Sequence, residues 1–222
     1  MKIDNARVRV SAIKRLIKND MEHMREFVTA SESFLTTEMK TFTKWVDKGA
    51  EGLSEKEAEY HYEWHSDTYW QLSEIFPMIQ RSSLFISAMS FLESRLNQLC
   101  NMLPDKNSPT TIKLNDLKGS GIERAMLFLR KVLELEIDTN SKTWESIRTF
   151  QKIRNQLVHT GDREVKEESV IQAINKYSQS EGGVKLDAKN RIQLDSTFLN
   201  QVLNVIDMLF NQVFKATENA FP

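Results

Sequence analysis

The sequence has few of the residues that build turns. Its 222 residues include 7 glycines and 4 prolines, whereas average usage would give roughly twice as many. β-Sandwiches, barrels and doubly wound sheets need a turn about every ten residues, and many of those turns use Gly or Pro. The scarcity therefore argues against these architectures and predicts a mostly helical chain.

Cysteine, net charge and long apolar runs are also scarce. The single cysteine, Cys100, cannot form an intrachain disulfide or a cysteine zinc cluster, and its apolar surroundings predict a buried thiol. The 30 Lys and Arg residues nearly balance 31 Asp and Glu residues, so the overall charge favours no class of partner. The N-terminus lacks the apolar core of a secretory signal, and no uncharged stretch approaches the ~20 residues of a membrane span. We therefore expect a cytoplasmic protein without membrane contact.

The first fifty residues predict one long helical element. Residues 3–48 contain neither Gly nor Pro and carry apolar side chains at heptad spacing. A straight helix of this length would extend over ~65 Å. We therefore expect it either to break near residues 29–33 or to project and pack on a second chain. The predicted organisation is a helix or helix pair over residues 1–50, followed by one helical unit over residues 51–222.

The remaining sequence predicts a series of shorter helices. Ser54 and Glu57 form a capping box that opens a helix, and Pro77 should kink or break it. Later segments are predicted as a helix to residue 102, a loop over 104–121, helices over 122–135, 141–159 and 165–177, a hairpin over 184–194, and a final apolar helix to about 217. The predicted fold is thus an all-α antiparallel bundle with a long N-terminal extension and a small β-hairpin before the last helix.

One predicted helix breaks its own apolar pattern. On a helical wheel of residues 144–159, Arg154 points along the direction shared by Ile147, Phe150, Leu157 and Val158. An arginine on an apolar face is costly unless it is paired or faces another chain. The surrounding segment is locally basic, with Lys or Arg at positions 142, 148, 152, 154, 163 and 166.

The end of this helix resembles a known motif. The stretch Arg154-Asn155-Gln156-Leu157-Val158-His159 is similar to the Arg-Asn-x-x-x-His signature of HEPN domains, an all-helical superfamily. The resemblance covers roughly residues 70–215, because the preceding apolar helix around Glu93 also looks like a core helix of these proteins. It implies a helical bundle in which the motif closes one of the helices.

The resemblance also implies a chemistry. Many HEPN proteins are metal-independent endoribonucleases that act as homodimers, with both motifs at the interface. It implies that Arg154, Asn155 and His159 are catalytic. Arg148 and Lys152 share the His159 side of the helix, where they form either a solvated face or a contact with RNA. Glu93 lies at the edge of the apolar face of its own helix and is a candidate carboxylate to orient Arg154. RNA cleavage through the 2′-hydroxyl needs a base and an acid, which histidine supplies near neutral pH. No cofactor or metal is implied. The family setting is a bacterial toxin or phage-defence system, with an antitoxin or another defence protein as partner.

One position departs from part of the family. Members controlled by a nucleotidyltransferase carry a tyrosine two residues after the histidine, where this chain has Gly161. Control by that route is therefore not predicted.

Other interpretations of the same residues remain open. Arg154 would also be explained as a structural arginine paired with Glu93, and His159 as a cation that stabilises a helix C-terminus. The main alternative function is a non-catalytic HEPN-like module that binds RNA, nucleotide or protein. A third is a helical adaptor that uses its first helix as an interaction arm.

One pair of histidines in the sequence has the spacing of metal ligands but does not predict a metal site. His61 and His65 are four residues apart, so a helix would place them on one side. No third ligand is indicated, and the nearby aromatic residues are more typical of a core or an interface. The acidic stretch 51–74 should repel RNA, so any RNA path should avoid it.

Overall fold

The computed structural model describes residues 2–103, 112–119, 121–159 and 164–221, with residues 2–7 described by their backbone only. The helices are α1 (Lys2–Ala50), α2 (Glu55–Trp70), α3 (Phe76–Met102), α4 (Gly121–Lys131), α5 (Lys142–His159), α6 (Glu168–Glu181) and α7 (Phe198–Ala220). Strands β1 (Val184–Leu186) and β2 (Ile192–Leu194) pair antiparallel. This architecture confirms the predicted all-α fold with a hairpin before the last helix.

Helix α1 is unbroken, which excludes the first of the two alternatives, a break near residues 29–33. Its hydroxyl residues donate to carbonyls one turn back, as from Thr29 Oγ1 to Arg25 O (2.9 Å) and from Thr37 Oγ1 to Ser33 O (2.8 Å). These bonds satisfy the hydroxyls without interrupting the helix. The buried face of α1 packs within its own chain, against α2, α3 and α7. The helix is therefore long because the rest of the fold lies along it.

Pro77 lies inside an almost continuous helical rod rather than at a break. Helix α2 passes into a π-helical turn over Gln71–Ile75, and α3 begins at Phe76. Proline has no N–H to donate and its ring crowds the carbonyl four residues earlier. A π-helical turn lies just before the proline. It widens the backbone at the point where the regular series of helical hydrogen bonds would be interrupted. The helix thus continues past the proline, so of the expected kink or break, the break does not occur.

The centre of the bundle is an aromatic cluster between α3, α5, α6 and α7. The Phe150 ring centroid lies 6.2 Å from that of Phe85, 5.8 Å from that of Phe198 and 5.2 Å from that of Tyr177. The three phenylalanines are fully buried. Because α7 runs through the centre, its apolar face is wide, as the sequence predicts.

An arginine ties three elements together at the edge of this core. Arg81 of α3 donates from Nε and Nη2 to the two carboxylate oxygens of Glu32 on α1, both at 2.7 Å. Its Nη1 donates to the Leu194 carbonyl oxygen at 2.9 Å. The two charged side chains are only 17% exposed. The fork geometry of arginine therefore fixes α1, α3 and β2 in one arrangement.

Replacing Arg81 with lysine should destabilise the fold by about 1–3 kcal/mol, although the charge is kept. A single ammonium cannot reach two carboxylate oxygens and a carbonyl with the same geometry, which leaves buried acceptors unpaired. Urea unfolding of Arg81→Lys, Glu32→Gln and the double variant measures the coupling between them. Additive losses would show that the pair contributes nothing as a unit.

Cys100 is buried, as predicted, and its thiol lies 3.6 Å from the Ala125 carbonyl oxygen. Burial raises the pKa of the Cys100 thiol to about 12. Because the thiolate is the reactive form, the folded protein should react with iodoacetamide far more slowly than the urea-unfolded chain at pH 8. Mass spectrometry of the alkylated protein over time measures both rates. Equal rates would contradict the buried thiol.

The outer half of the α1–α2 pair forms an arm, defined as residues 35–75. Helix α2 contains no buried residue, and its contacts with α1 are polar and aromatic. His61 Nε2 bonds to the Val46 carbonyl oxygen at 2.9 Å, and the His65 ring lies 4.8 Å from Trp45. Both histidines are thus explained by packing, and the described residues hold no group of three or more His, Cys, Asp or Glu suited to a metal ion.

Gly49 leaves room for the His61 ring near the end of α1. The Cε1 atom of His61 lies 2.8 Å from the position that a Cβ would take on Gly49. Any larger residue would therefore push the histidine ring away from α1.

The helical rod from Glu55 to Met102 contains a window apolar enough to cross a membrane by length and composition, with mean hydropathy 1.2. A third of that window is buried inside the bundle. The core helix of a globular protein meets the same criterion, and α3 supplies Phe85, Leu92 and Leu96 to the core.

Candidate functional site at the end of α5

The first part of α5 is firmly anchored. Ser141 Oγ accepts a hydrogen bond from the Trp144 N–H at 3.3 Å, which caps the helix. Ile147, Phe150 and Ile153 are fully buried against the bundle, and α5 contacts α3, α6 and α7. The helix ends at His159, as the sequence predicts. The motif therefore lies on a rigid element, which favours fixed positioning of its side chains.

Arg154 lies at the edge of the buried face, not at its centre. The buried face also includes Ser146, Thr149 and Ile153. These three residues are not in the set that defined the apolar direction of the helical wheel. These residues turn the centre of the face about 70° away from Arg154 at 100° per residue. Arg154 is accordingly half-buried. Val158, one turn further along, is 41% exposed, so the predicted apolar stripe ends in solvent.

The described residues place no carboxylate in an ion pair with Arg154. Its Nη1 donates to the Asn155 amide oxygen at 3.2 Å. Among the described parts of the chain, the ion pairs of α5 lie in its first turn and join Lys142 with Glu181 and Glu145 with Lys176. The guanidinium thus retains donors for an anionic ligand.

Glu93 is positioned by a different element. The Glu93 carboxyl carbon lies 3.4 Å from the position that a Cβ would take on Gly121, the first residue of α4. A carboxylate at a helix N-terminus is stabilised by the helix dipole and the free N–H groups. The predicted pairing of Glu93 with Arg154 is therefore not observed, and the packing of α3 against α4 gives the reason.

The other predicted site residues share one side of α5. Arg148, Lys152, Asn155 and His159 follow at spacings of four, three and four residues, which places them in one stripe on a helix. Arg148, Asn155 and His159 are exposed, whereas Lys152 Nζ donates to the Ser169 carbonyl oxygen at 3.0 Å. The stripe is cationic. It is accessible to solvent except at Lys152, which is bonded to α6.

Within one chain, Arg154 and His159 point in different directions. Five residues at 100° each separate them by about 140° around the helix. A single chain therefore does not direct both side chains at one phosphate. Two copies related by a two-fold axis would bring the arginine of one chain near the histidine of the other.

Sequence reasoning missed two features of this end. Gln156 donates from Nε2 to the Glu164 carbonyl oxygen at 2.7 Å, which fastens the chain after α5 to the helix. The other feature is the exposure of Val158. Its place in the last turn of α5 is the signal that could have predicted this exposure. Gly161 and Arg163 lie outside the described residues. Comparison of the chain with protein families, curated proteins and solved structures finds no match.

Proposed function

We propose that this protein is a metal-independent endoribonuclease that acts as a homodimer, with a composite site built from Arg154, Asn155 and His159 of two chains. The observation that supports the proposal most is the half-buried Arg154, beside exposed Val158 and Asn155 and without a carboxylate partner among the described residues. A cation left in this state suits a phosphate ligand in a partly dry interface.

The proposed reaction uses the 2′-hydroxyl of the RNA as nucleophile. One His159 takes the 2′-hydroxyl proton while the 2′-oxygen attacks the phosphorus, and a protonated His159 from the other chain donates to the leaving 5′-oxygen. The products are a 2′,3′-cyclic phosphate and a 5′-hydroxyl. Arg154 would hold the non-bridging phosphate oxygens, where negative charge develops. Asn155, which already accepts from Arg154, would fix the direction of the guanidinium.

The surrounding surface suits this assignment. The exposed Arg148 extends the cationic stripe along α5 for the RNA backbone, whereas the arm carries the acidic stretch 51–74. We place the activity in the cytoplasm, in a bacterial toxin or phage-defence system. In that setting an antitoxin or another defence protein would restrain the enzyme by covering the end of α5.

The test is incubation of the purified full chain with total RNA in excess EDTA. Cleavage should persist and should produce 2′,3′-cyclic phosphate ends, whereas DNA of the same sequence should stay intact because it has no 2′-hydroxyl. Loss of cleavage in EDTA would contradict a metal-free mechanism. Cleavage of DNA would contradict the use of the 2′-hydroxyl.

A non-catalytic binding module is the second candidate. It is favoured by the Lys152 ammonium, which is held by the Ser169 carbonyl, and by the divergence of Arg154 and His159 within one chain. Such a module would retain RNA in a filter-binding assay, with salt-dependent affinity, and would leave the RNA intact over hours.

A further inference from the structure

Helix α1 carries a second apolar stripe, distinct from the face that packs on its own chain. The stripe consists of Leu16, Phe27, Phe34 and Trp45, which are 43%, 60%, 61% and 59% exposed. At 100° per residue these four positions fall within about 20° of one line. The stripe is long, straight and mostly aromatic, and the described residues do not cover it.

The spacing of the stripe is symmetric. The successive separations are 11, 7 and 11 residues, so Leu16 and Trp45, like Phe27 and Phe34, are equidistant from the midpoint between residues 30 and 31. An antiparallel copy of α1, related by a two-fold axis near residues 30 and 31, would place Phe27 against Phe34 of the other copy. The same axis would place Leu16 against Trp45. A two-fold interface needs this self-complementarity, whereas an unrelated partner does not.

Residues beside the stripe fit the same register. His23 and Glu38 are also equidistant from its midpoint, and both are exposed, on opposite flanks of the stripe. Ala30 and Ser31, at the centre, are small enough to allow close approach of the two helices.

Two parts of the stripe, around Phe27 and at Trp45, have surroundings that suit contact with a second copy. An apolar groove lies beside Phe27, lined by Met24, Val28, Leu84, Leu199 and Leu203 among others, and the register would place the Phe34 ring of the second copy at its edge. The Trp45 ring is held edge-on to His65 at 4.8 Å between centroids. Side chains already held in place lose less conformational entropy on binding.

The area is sufficient for a stable dimer. Aromatic side chains bury roughly 150–250 Å² each, so at their observed exposure the four residues would contribute on the order of 400 Å² per copy. Two copies would bury roughly 800 Å² of apolar surface, or roughly 1,300 Å² in total when the polar rim is included. Stable interfaces start at roughly 1,200 Å².

We propose that this stripe of α1 is an isologous interface with a second copy of the same chain, in antiparallel register about residues 30 and 31. It lies on a different helix from the composite ribonuclease site and does not depend on that site.

Light scattering and sedimentation of the full chain test the interface. The double variant Phe27→Glu/Phe34→Glu should weaken association through α1 roughly 100-fold or more, because it places charges opposite each other where two aromatic anchors met. A dimer joined at α5 would remain, so the wild type should sediment as a larger assembly than the double variant. Trp64→Glu is the matched control, since Trp64 is 84% exposed on α2 and off the stripe. A monomeric wild type at about 100 μM, or equal effects of the two variants, would overturn the proposal.

Cross-linking tests the register separately. A short bismaleimide should join two chains of the Ala30→Cys variant, because position 30 lies next to its own symmetry mate. Thr41→Cys is the control. Thr41 is also exposed on α1, but in this register it would lie opposite position 20 of the second copy and far from its own symmetry mate, so the Thr41→Cys variant should cross-link poorly. Cys100 is buried and gives a low background. The Ala30→Cys product should persist in an Arg154→Ala background. Equal cross-linking at both positions, or none at either, would overturn the register even if RNA cleavage is observed.

Discussion

Replacing Arg154 with alanine should lower the rate of RNA cleavage by about 100- to 1,000-fold. This is the usual loss when one donor to a developing negative charge is removed. Arg154→Lys should recover only part of the rate, because an ammonium lacks the planar fork that contacts two phosphate oxygens. Single-turnover rates with a fluorescent RNA, together with thermal melting of each variant, separate lost chemistry from lost stability.

Arg148→Ala is the matched control for this loss. Arg148 is exposed on the same helix, so its removal should weaken RNA binding and reduce the salt dependence by about one charge, with the cleavage step nearly unchanged. A full rate in Arg154→Ala would remove Arg154 from the site.

Mixing wild-type chains with an inactive variant tests whether the site is composite. His159→Ala should abolish cleavage, because it removes both the base and the acid. Co-expression of equal amounts of wild-type and His159→Ala chains should leave about a quarter of the wild-type rate, because only the quarter of the dimers that carry two histidines supplies both groups across the two-fold axis. A rate of about half would mean that each chain works with its own histidine alone.

Replacing Phe150 with alanine should destabilise the protein by about 3–5 kcal/mol. Phe150 is fully buried, and its ring lies within 6.2 Å of Phe85, 5.8 Å of Phe198 and 5.2 Å of Tyr177. The substitution would leave a cavity between α3, α5, α6 and α7, which the surrounding rigid helices can only partly close. For a chain of this size, the melting temperature should fall by roughly 6–20 °C.

Calorimetry of Phe150→Ala and Tyr60→Ala provides the comparison. Tyr60 is 70% exposed on α2, so its removal should change stability by less than about 0.5 kcal/mol. A double variant with Phe198→Ala should lose less than the sum of the two single variants, because both rings share one cavity. A small effect of Phe150→Ala would mean that α5 is not anchored as described, and the position of Arg154 would then be in doubt.

The helical fold was predictable because its signals are local. Three local signals indicate the helices: the lack of Gly and Pro, the apolar periodicity and the cap at Ser141. The end of α5 at His159 also agrees with the sequence. The continuity of α1 and the passage through Pro77 were not predictable, because both depend on how the rest of the chain packs along those helices. A periodic pattern alone does not show whether a π-helical turn will absorb a proline.

The sequence singles out residues for the candidate site but does not determine their orientation. The wheel placed Arg154 at the centre of an apolar face because Ser146 and Thr149 were counted as polar, yet both are buried. Glu93 was assigned to Arg154 from its place on an apolar helix, but the N-terminus of α4 at Gly121 lies beside it instead. Which carboxylate meets which cation is decided by the packing of helices, which no single helix encodes.

The contact of α1 with α7 gives this chain an unusual order of folding during synthesis. Lys14 pairs with Glu218 at 2.6 Å, and Arg25 donates to Asn204 at 2.7 Å, so the first helix is completed by the last. A ribosome that adds 5–20 residues per second needs roughly 10–35 s to make the intervening chain. During that time the apolar face of α1 around Ile13 and Ile17 has no α7 to cover it. A nascent chain stalled before residue 198 should therefore recruit chaperones, and a C-terminal truncation should aggregate rather than fold as a smaller protein.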